Sequence, residues 1–304
     1  MLYNLLQKYN FRGLMAPVFT PFTDSWELNC SIICQYANYL KEHGVQGILV
    51  NGTTGEGVSQ NIEERKLLTE EWVKVAKKTE QSLMVHIGGA SLTDVIDLAK
   101  HAEKLKVEAL LCLPELFFKP KTSGELTDYL KLISKAAPGT PLLYYHIPAF
   151  TDVNIDMEQF IRLACSEVPT FAGIKFTHTN LEEGARCLKA GNEHDVAVFL
   201  GADQLLSAAT TLGFDSAIAT TLNLWPELLN EIQLNIKSGK VQKAMDGQKE
   251  LTRKIACITK HGNWVTTMKA AMNLVSSLKL GTARPPLKPL TVVQIQEISR
   301  DILD

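Results

Sequence analysis

No apolar stretch in this 304-residue chain is long enough to cross a membrane; runs such as Ala109 to Pro114 and Pro141 to Ile147 are strand-length. A basic excess is also missing. The formal net charge is −2 and no Lys/Arg stripe appears, which argues against a nucleic-acid partner. The six cysteines (Cys30, Cys34, Cys112, Cys165, Cys187, Cys257) form no C-x-x-C pair. Cys30 and Cys34 have no nearby His or Cys to complete a metal site, so no metal is expected. The thiols are expected to be buried, reduced and structural, as small hydrophobes. Met1 to Lys8 lacks a charged stretch leading into an apolar core and a cleavage site, so a cytoplasmic protein is expected.

What is present is a globular composition, 45% apolar and 21% charged, over a length normal for one β/α barrel with extra helices. β-rich runs occur at Gly13 to Phe22, Gln46 to Gly52, Ser82 to Gly88, Ala109 to Pro114, Pro141 to Pro148, Phe171 to His178, Val196 to Gly201 and Ser216 to Leu222. Each is followed by a segment of helical period: Ile32 to Glu42, Ile62 to Lys77, Leu92 to Leu105, Gly124 to Ala136, Met157 to Cys165, Leu181 to Leu188, Gln204 to Leu212 and Trp225 to Ile236. Eight β-α units in a row predict an α/β fold, a (β/α)8 TIM barrel. An open doubly wound sheet is the competing architecture, because local pattern does not prove closure. Beyond Lys240, helical spacing over Val241 to Thr259 and Trp264 to Leu278, a break at Gly281 to Pro289 and a last helix near Val292 to Leu303 predict a C-terminal helical extension. No low-complexity linker divides the chain. The expected organisation is one domain over 1–304, with the barrel over 11–236 and the helices over 237–304.

Alternation along Phe171 to His178 sets Ile174 and Phe176 on one face and Gly173, Lys175 and Thr177 on the other. A barrel strand turns its more apolar side toward the helices, so Lys175 is expected inside the barrel, near the carboxyl end where barrel enzymes keep their catalytic groups. Burial lowers an amine's pKa, and a neutral amine can attack a ketone carbon. The alternative is a structural lysine that reaches the surface or meets a buried carboxylate. Tyr145 shares its strand face with Leu143 and Ile147. Its phenol, with an ordinary pKa near ~10, is either a proton carrier or an interior packing ring. His146 points the other way and reads as a satisfied packing histidine. Gly52-Thr53-Thr54-Gly55-Glu56-Gly57 follows the second strand and can turn backbone N–H groups and hydroxyls onto a carboxylate. It lacks the Lys-Ser/Thr ending of a nucleotide-triphosphate loop.

Taken together, Gly52 to Glu56, Tyr145-His146-Ile147-Pro148, Gly173-Ile174-Lys175-Phe176-Thr177 and the opening Gly13 to Phe22 resemble the N-acetylneuraminate lyase and dihydrodipicolinate synthase superfamily of class I aldolases. The resemblance runs from about Phe11 to Leu280 and is greatest to the animal N-acetylneuraminate lyases, Phe117-Phe118-Lys119-Pro120 included. It implies that Lys175 forms a Schiff base with the keto carbon of pyruvate or of a sugar acid. It further implies that Tyr145 transfers protons and that Thr53 and Thr54 hold the pyruvyl carboxylate. No cofactor is implied, because the imine itself draws the electrons. The partners implied are pyruvate and a small sugar acid, with neither nucleic acid nor membrane, in a homotetramer.

The synthase branch carries an arginine two positions after Tyr-x-x-Pro and a relay tyrosine near Phe117. Here those positions hold Phe150 and Phe117, which favours the lyase branch. For the sugar tail the resemblance implies Thr177, Gly201, Asp203, Gln204 and Thr220. Gln204 stands where the family has a carboxylate, Thr220 where it has serine and Ala219 where it has glycine. An amide both donates and accepts, whereas a carboxylate only accepts, so the sugar is less fixed than the chemistry. Three functions follow for testing: a sialate lyase, a pyruvate aldolase for another 2-keto-3-deoxy sugar acid, or a non-catalytic barrel that senses a metabolite.

Overall fold

The computed structural model describes residues 8–303. Residues 1–7, part of the N-terminal segment considered above, and residue 304 at the end of the expected domain lie outside the described residues. In chain order the elements are β1 (Leu14–Pro17), α1 (Ile33–Glu42), β2 (Gly47–Val50), α2 (Ile62–Thr79), β3 (Ser82–His86), α3 (Leu92–Leu105) and β4 (Ala109–Cys112). There follow α4 (Ser123–Ala136), β5 (Leu142–His146), a single turn α5 (Pro148–Thr151), α6 (Met157–Glu167), β6 (Phe171–Phe176), α7 (Leu181–His194) and β7 (Ala197–Leu200). The chain ends with α8 (Leu206–Leu212), β8 (Ser216–Ile218), α9 (Pro226–Lys237), α10 (Val241–Thr259), α11 (Trp264–Val275) and α12 (Val292–Leu303).

The eight strands are parallel and close in sequence order, with Leu14 of β1 opposite Ala217 of β8. That pairing excludes the open doubly wound sheet. Alternation divides the core into two layers. Outward residues such as Ile48, Val50, Leu110, Cys112, Ile174 and Phe176 pack under the helices. Inward residues such as Met15, Leu49, Met84, Leu111, Leu143 and Phe199 fill the barrel. Ahead of β1, Phe11 stacks on Phe199 with centroids 6.3 Å apart and planes 8° apart. Local chemistry starts the helices: side chains of Asn61, Ser91, Thr122, Asp156 and Asn180 each accept from a backbone N–H in the first turn. At Asn61 the bond is reciprocated by Glu64, completing a capping box.

The strands are shorter than the apolar runs, because the carboxyl ends leave the ladder to form loops. Ser216 to Leu222 is one such case: β8 stops at Ile218, and Thr220–Asn223 is a turn of 3-10 helix. Gln204 begins no α-helix, lying instead in the 3-10 turn Asp203–Leu205. Pro148 starts α5 rather than ending a strand. Gly173 keeps the inward register with Lys175, opposite Leu143 of β5 and Ala197 of β7, but it reaches that register through a bulge. The β5–β6 register slips by one residue between Leu142 and Leu143, and Gly173 has φ +140°. A Cβ there would lie 1.9 Å from the carbonyl oxygen of Ala197, so only glycine fits this bulge. The bulge sets the phase that follows, with Lys175 inward.

The thiols are also less uniform than expected. Cys112 and Cys187 are buried, whereas Cys34 is exposed because Ile33, Tyr36, Ala37 and Leu40 take the inner face of α1.

Candidate active site

The carboxyl ends of the strands surround a cavity of about 460 Å³, within the range usual for small-molecule sites. It is lined by Thr53, Thr54, Tyr145, Lys175, Thr177, Gly201, Asp203, Gln204 and Thr220, so the structure brings together all nine candidate residues from the sequence. Ala219 is not among the lining residues.

Lys175 and Tyr145 are side-by-side partners on β6 and β5, and both side chains are buried. The Lys175 amine donates to the Tyr145 hydroxyl at 3.2 Å, and that hydroxyl shares a second hydrogen bond with Thr53 Oγ1 at 3.1 Å. No carboxylate neutralises the amine in these contacts. It lies over the Tyr145 ring, 4.3 Å from its centre. His86 meets the same ring edge-on at 5.9 Å.

Thr53 and Thr54 sit on a loop held from three sides. Asn51 and Glu56 bracket the turn in left-handed conformations, φ 62° and 55°. Thr20 and Gln60 both donate to the Gly55 carbonyl, at 2.5 and 2.8 Å. Glu56 folds inward to a buried ion pair with Lys269 of α11 at 2.9 Å, and it accepts from the backbone N–H of Arg284 at 2.7 Å. Among the described residues, no backbone carbonyl takes the N–H groups of Thr53 or Thr54. Two such N–H groups beside two hydroxyls have the donor chemistry to hold an anion.

On the opposite wall, Thr54 Oγ1 and Thr220 Oγ1 are 2.8 Å apart, and the Trp264 indole N–H donates to Thr220 at 3.3 Å. Asn223 holds that wall by donating to the carbonyls of Pro17 and Thr220, both at 2.9 Å, and accepting from Tyr36 at 2.6 Å. Asp203 Oδ1 accepts from Thr221 N and Oγ1, at 2.8 and 2.5 Å. Burial pushes this carboxyl up, opposed by the Thr221 hydrogen bonds and the Lys175 charge. The Thr177 hydroxyl is buried without a partner, next to Gly201. A Cβ on Gly201 would sit 1.8 Å from Thr177 Oγ1 and 3.1 Å from Lys175 Cε, so glycine keeps this approach open.

Further lining residues had no local signal in the sequence. Trp264 opens α11, far from Thr220 along the chain, and only tertiary folding brings it to the wall. His178 and Thr179, just past β6, also line the cavity. Phe150 stands there 65% exposed, an apolar group where a second substrate carboxylate would need a cation. His146 is not satisfied as expected: it is fully buried under the helices, and neither ring nitrogen has a hydrogen-bond partner. Burial, with His178 adding to it, lowers its pKa to about 3.

Comparison with known proteins agrees with this geometry. Residues 10–303 match the model of the dihydrodipicolinate synthetase family. N-acetylneuraminate lyase of Homo sapiens is 35% identical over 98% of this chain and 91% of its own length. The solved structure of Proteus mirabilis N-acetylneuraminate lyase superposes with a TM-score of 0.91 at 32% identity, covering 96% of this chain and 98% of that one. That of the Aliivibrio salmonicida N-acetylneuraminate lyase (sialic acid aldolase) gives 0.92 at 32% identity, covering 98% and 97%. The chain therefore belongs to the dihydrodipicolinate synthetase family, and it shares its fold and about a third of its residues with N-acetylneuraminate lyases.

Proposed function

We propose that the chain is a class I aldolase, a carbon–carbon lyase that cleaves N-acetylneuraminate to N-acetylmannosamine and pyruvate through a Schiff base on Lys175. The observation that carries this reading is the hydrogen-bonded series Lys175–Tyr145–Thr53 inside the cavity at the carboxyl ends of the strands, in a chain whose relatives are N-acetylneuraminate lyases. The Lys175 amine attacks the C2 keto carbon, and water leaves as the iminium forms. When the C3–C4 bond breaks, its electron pair moves toward the iminium nitrogen and gives an enamine. The C4 hydroxyl loses its proton and becomes the aldehyde of the released sugar. Protonation of the enamine at C3 and hydrolysis then release pyruvate and free the lysine.

Tyr145 moves these protons, 3.2 Å from the amine and paired with Thr53. Thr53 and Thr54 hold the carboxylate. Thr177, with its unpartnered hydroxyl, and Gly201, Asp203, Gln204 and Thr220 meet the sugar tail. The chemistry needs no metal or organic cofactor, because the lysine supplies the electron sink.

The amide of Gln204 and the indole of Trp264 on the tail wall favour a second reading, an aldolase for another 2-keto-3-deoxy sugar acid. The experiment is reduction with borohydride in the presence of pyruvate, followed by peptide mapping. A pyruvate adduct on Lys175 is expected; its absence would leave only a non-catalytic barrel. Cleavage of another sugar acid but not of N-acetylneuraminate would select the second reading.

A cytoplasmic homotetramer completes the proposal. Among the described residues, no helix is long and apolar enough to cross a membrane. Phe117 and Phe118, 84% and 82% exposed, are apolar groups that a subunit contact would cover. Sedimentation as a monomer would remove the assembly from the proposal.

A further inference from the structure

His146 poses a problem that aldolase chemistry does not solve. It ends β5 on the side facing the helices, away from Lys175 and Tyr145, and its side chain is fully buried. Its ring stacks on Phe176 at 5.4 Å and meets His178 at right angles at 5.8 Å. Both nitrogens lack a hydrogen-bond partner. Buried polar atoms are nearly always paired, and an unpaired one calls for an explanation such as a water or an ion.

The surroundings supply one. His178, two residues past β6, has a buried Nδ1 that likewise makes no hydrogen bond. It lies 3.4 Å from Oε2 of Glu183, in the first turn of α7. The other oxygen, Oε1, accepts from the backbone N–H of Met157 at 3.4 Å, which fixes the carboxylate's direction. One donor atom from each of His146, His178 and Glu183 falls within 4.8 Å of the others, and among the described residues no other such group exists. Ligands in a tetrahedral shell at ~2.0–2.1 Å from a metal stand roughly 3.4 Å from one another. The His178–Glu183 separation matches that spacing.

We propose that His146, His178 and Glu183 form a binding site for a divalent transition ion, Zn²⁺ foremost, with water in the fourth position. Two borderline imidazole nitrogens with one carboxylate make a zinc ligand set, whereas magnesium and calcium take oxygen ligands. The ion would tie the ends of β5 and β6 to the start of α7. His178 also lines the substrate cavity, so the site shares a wall with it but uses neither Lys175 nor Tyr145. This assignment is independent of the sugar the enzyme cleaves.

The test is titration of the chelator-treated full chain with Co²⁺, followed by visible absorption, and competition with Zn²⁺. One equivalent of Co²⁺ with an absorption band that Zn²⁺ abolishes is the expected result. Loss of a ligating side chain should weaken binding by more than about 100-fold, beyond the 10–100-fold typical of losing an outer partner. His178→Ala and Glu183→Gln are the informative variants, since His146→Leu alters a fully buried ring and must first be shown to fold by circular dichroism. Uptake of no ion by the wild type would overturn the site and leave His178 and Glu183 a plain ion pair. Binding that survives in both variants at wild-type affinity would overturn it equally. It would point instead to other histidine–carboxylate pairs such as His101–Glu70 or His261–Glu297.

Discussion

At the scale of single residues, the sequence was most informative where a side chain broke its surroundings' pattern. Lys175 was conspicuous because an amine interrupts an apolar strand, and alternation alone turned it inward. Tyr145 was ambiguous, since an interior ring and a proton carrier look alike in sequence. In the structure the hydroxyl contacts both the amine and Thr53, contacts that a packing ring does not need and that support the proposed proton path. Tyr145→Phe keeps the ring against His86 and removes only the hydroxyl. Loss of a positioned proton carrier typically lowers rate by roughly 10²–10⁴, so kcat for pyruvate release should fall at least ~100-fold with little change in the melting temperature. A fall of less than tenfold in a steady-state assay would take Tyr145 out of the proton path. Trp264 and His178 were not legible, because their relation to the cavity depends on contacts between distant segments.

At the scale of elements, apolar runs marked strand centres well and strand ends poorly. Periodicity reports burial, whereas a strand ends where its ladder bonds stop. Thr220 and Gln204 therefore moved from a strand and a helix to 3-10 turns. The bulge at Gly173 was not legible, because a one-residue slip between strands leaves no mark in either strand's own pattern. The least legible relation was the one between the Gly52 to Gly57 loop and the C-terminal extension. Lys269 reads as one polar residue on an amphipathic helix, yet it is buried against Glu56, while Arg284 bonds Glu56 through its backbone and Glu64 through its guanidinium at 2.7 Å. The extension thus fixes the turn that presents Thr53 and Thr54. Removing one partner of a buried pair leaves an uncompensated charge, at a cost of about 3–5 kcal/mol. Lys269→Met should show that loss in urea unfolding, together with a higher KM for the sugar acid as the carboxylate cradle loosens. Adding Glu56→Gln should recover most of the stability but not the KM. If the single variant unfolds at the wild-type urea concentration, the pair does not hold the loop.

At the scale of the whole molecule, eight β-α repeats made the barrel legible, although closure itself was not. Whether β1 meets β8 depends on a contact between the two ends of a sheet some two hundred residues apart, and no local window contains it. Closure also sets the electrostatics inside. His86 is buried at the end of β3, with Nδ1 donating to the Asn51 carbonyl at 2.9 Å. The Arg65 guanidinium of α2 donates to the His86 carbonyl at 2.8 Å, and Lys175 lies across the barrel. Burial first, then the Arg65 charge, hold its imidazole well below the ordinary histidine value, with the Asn51 bond opposing them and Lys175 adding to them. The folded state therefore refuses a proton that the unfolded chain accepts near pH ~6.5. Its stabilising contribution is complete above that pH and falls as the pH drops below it, by up to ~1.4 kcal/mol per pH unit. His86→Asn keeps a donor near the Nδ1 position and removes the titration. Urea unfolding of both proteins between pH 7 and 5 should show the variant losing stability more slowly, by about one proton's worth of slope. Parallel pH profiles would mean that His86 takes up a proton without opening the barrel, and that its neutrality is not a condition of the fold.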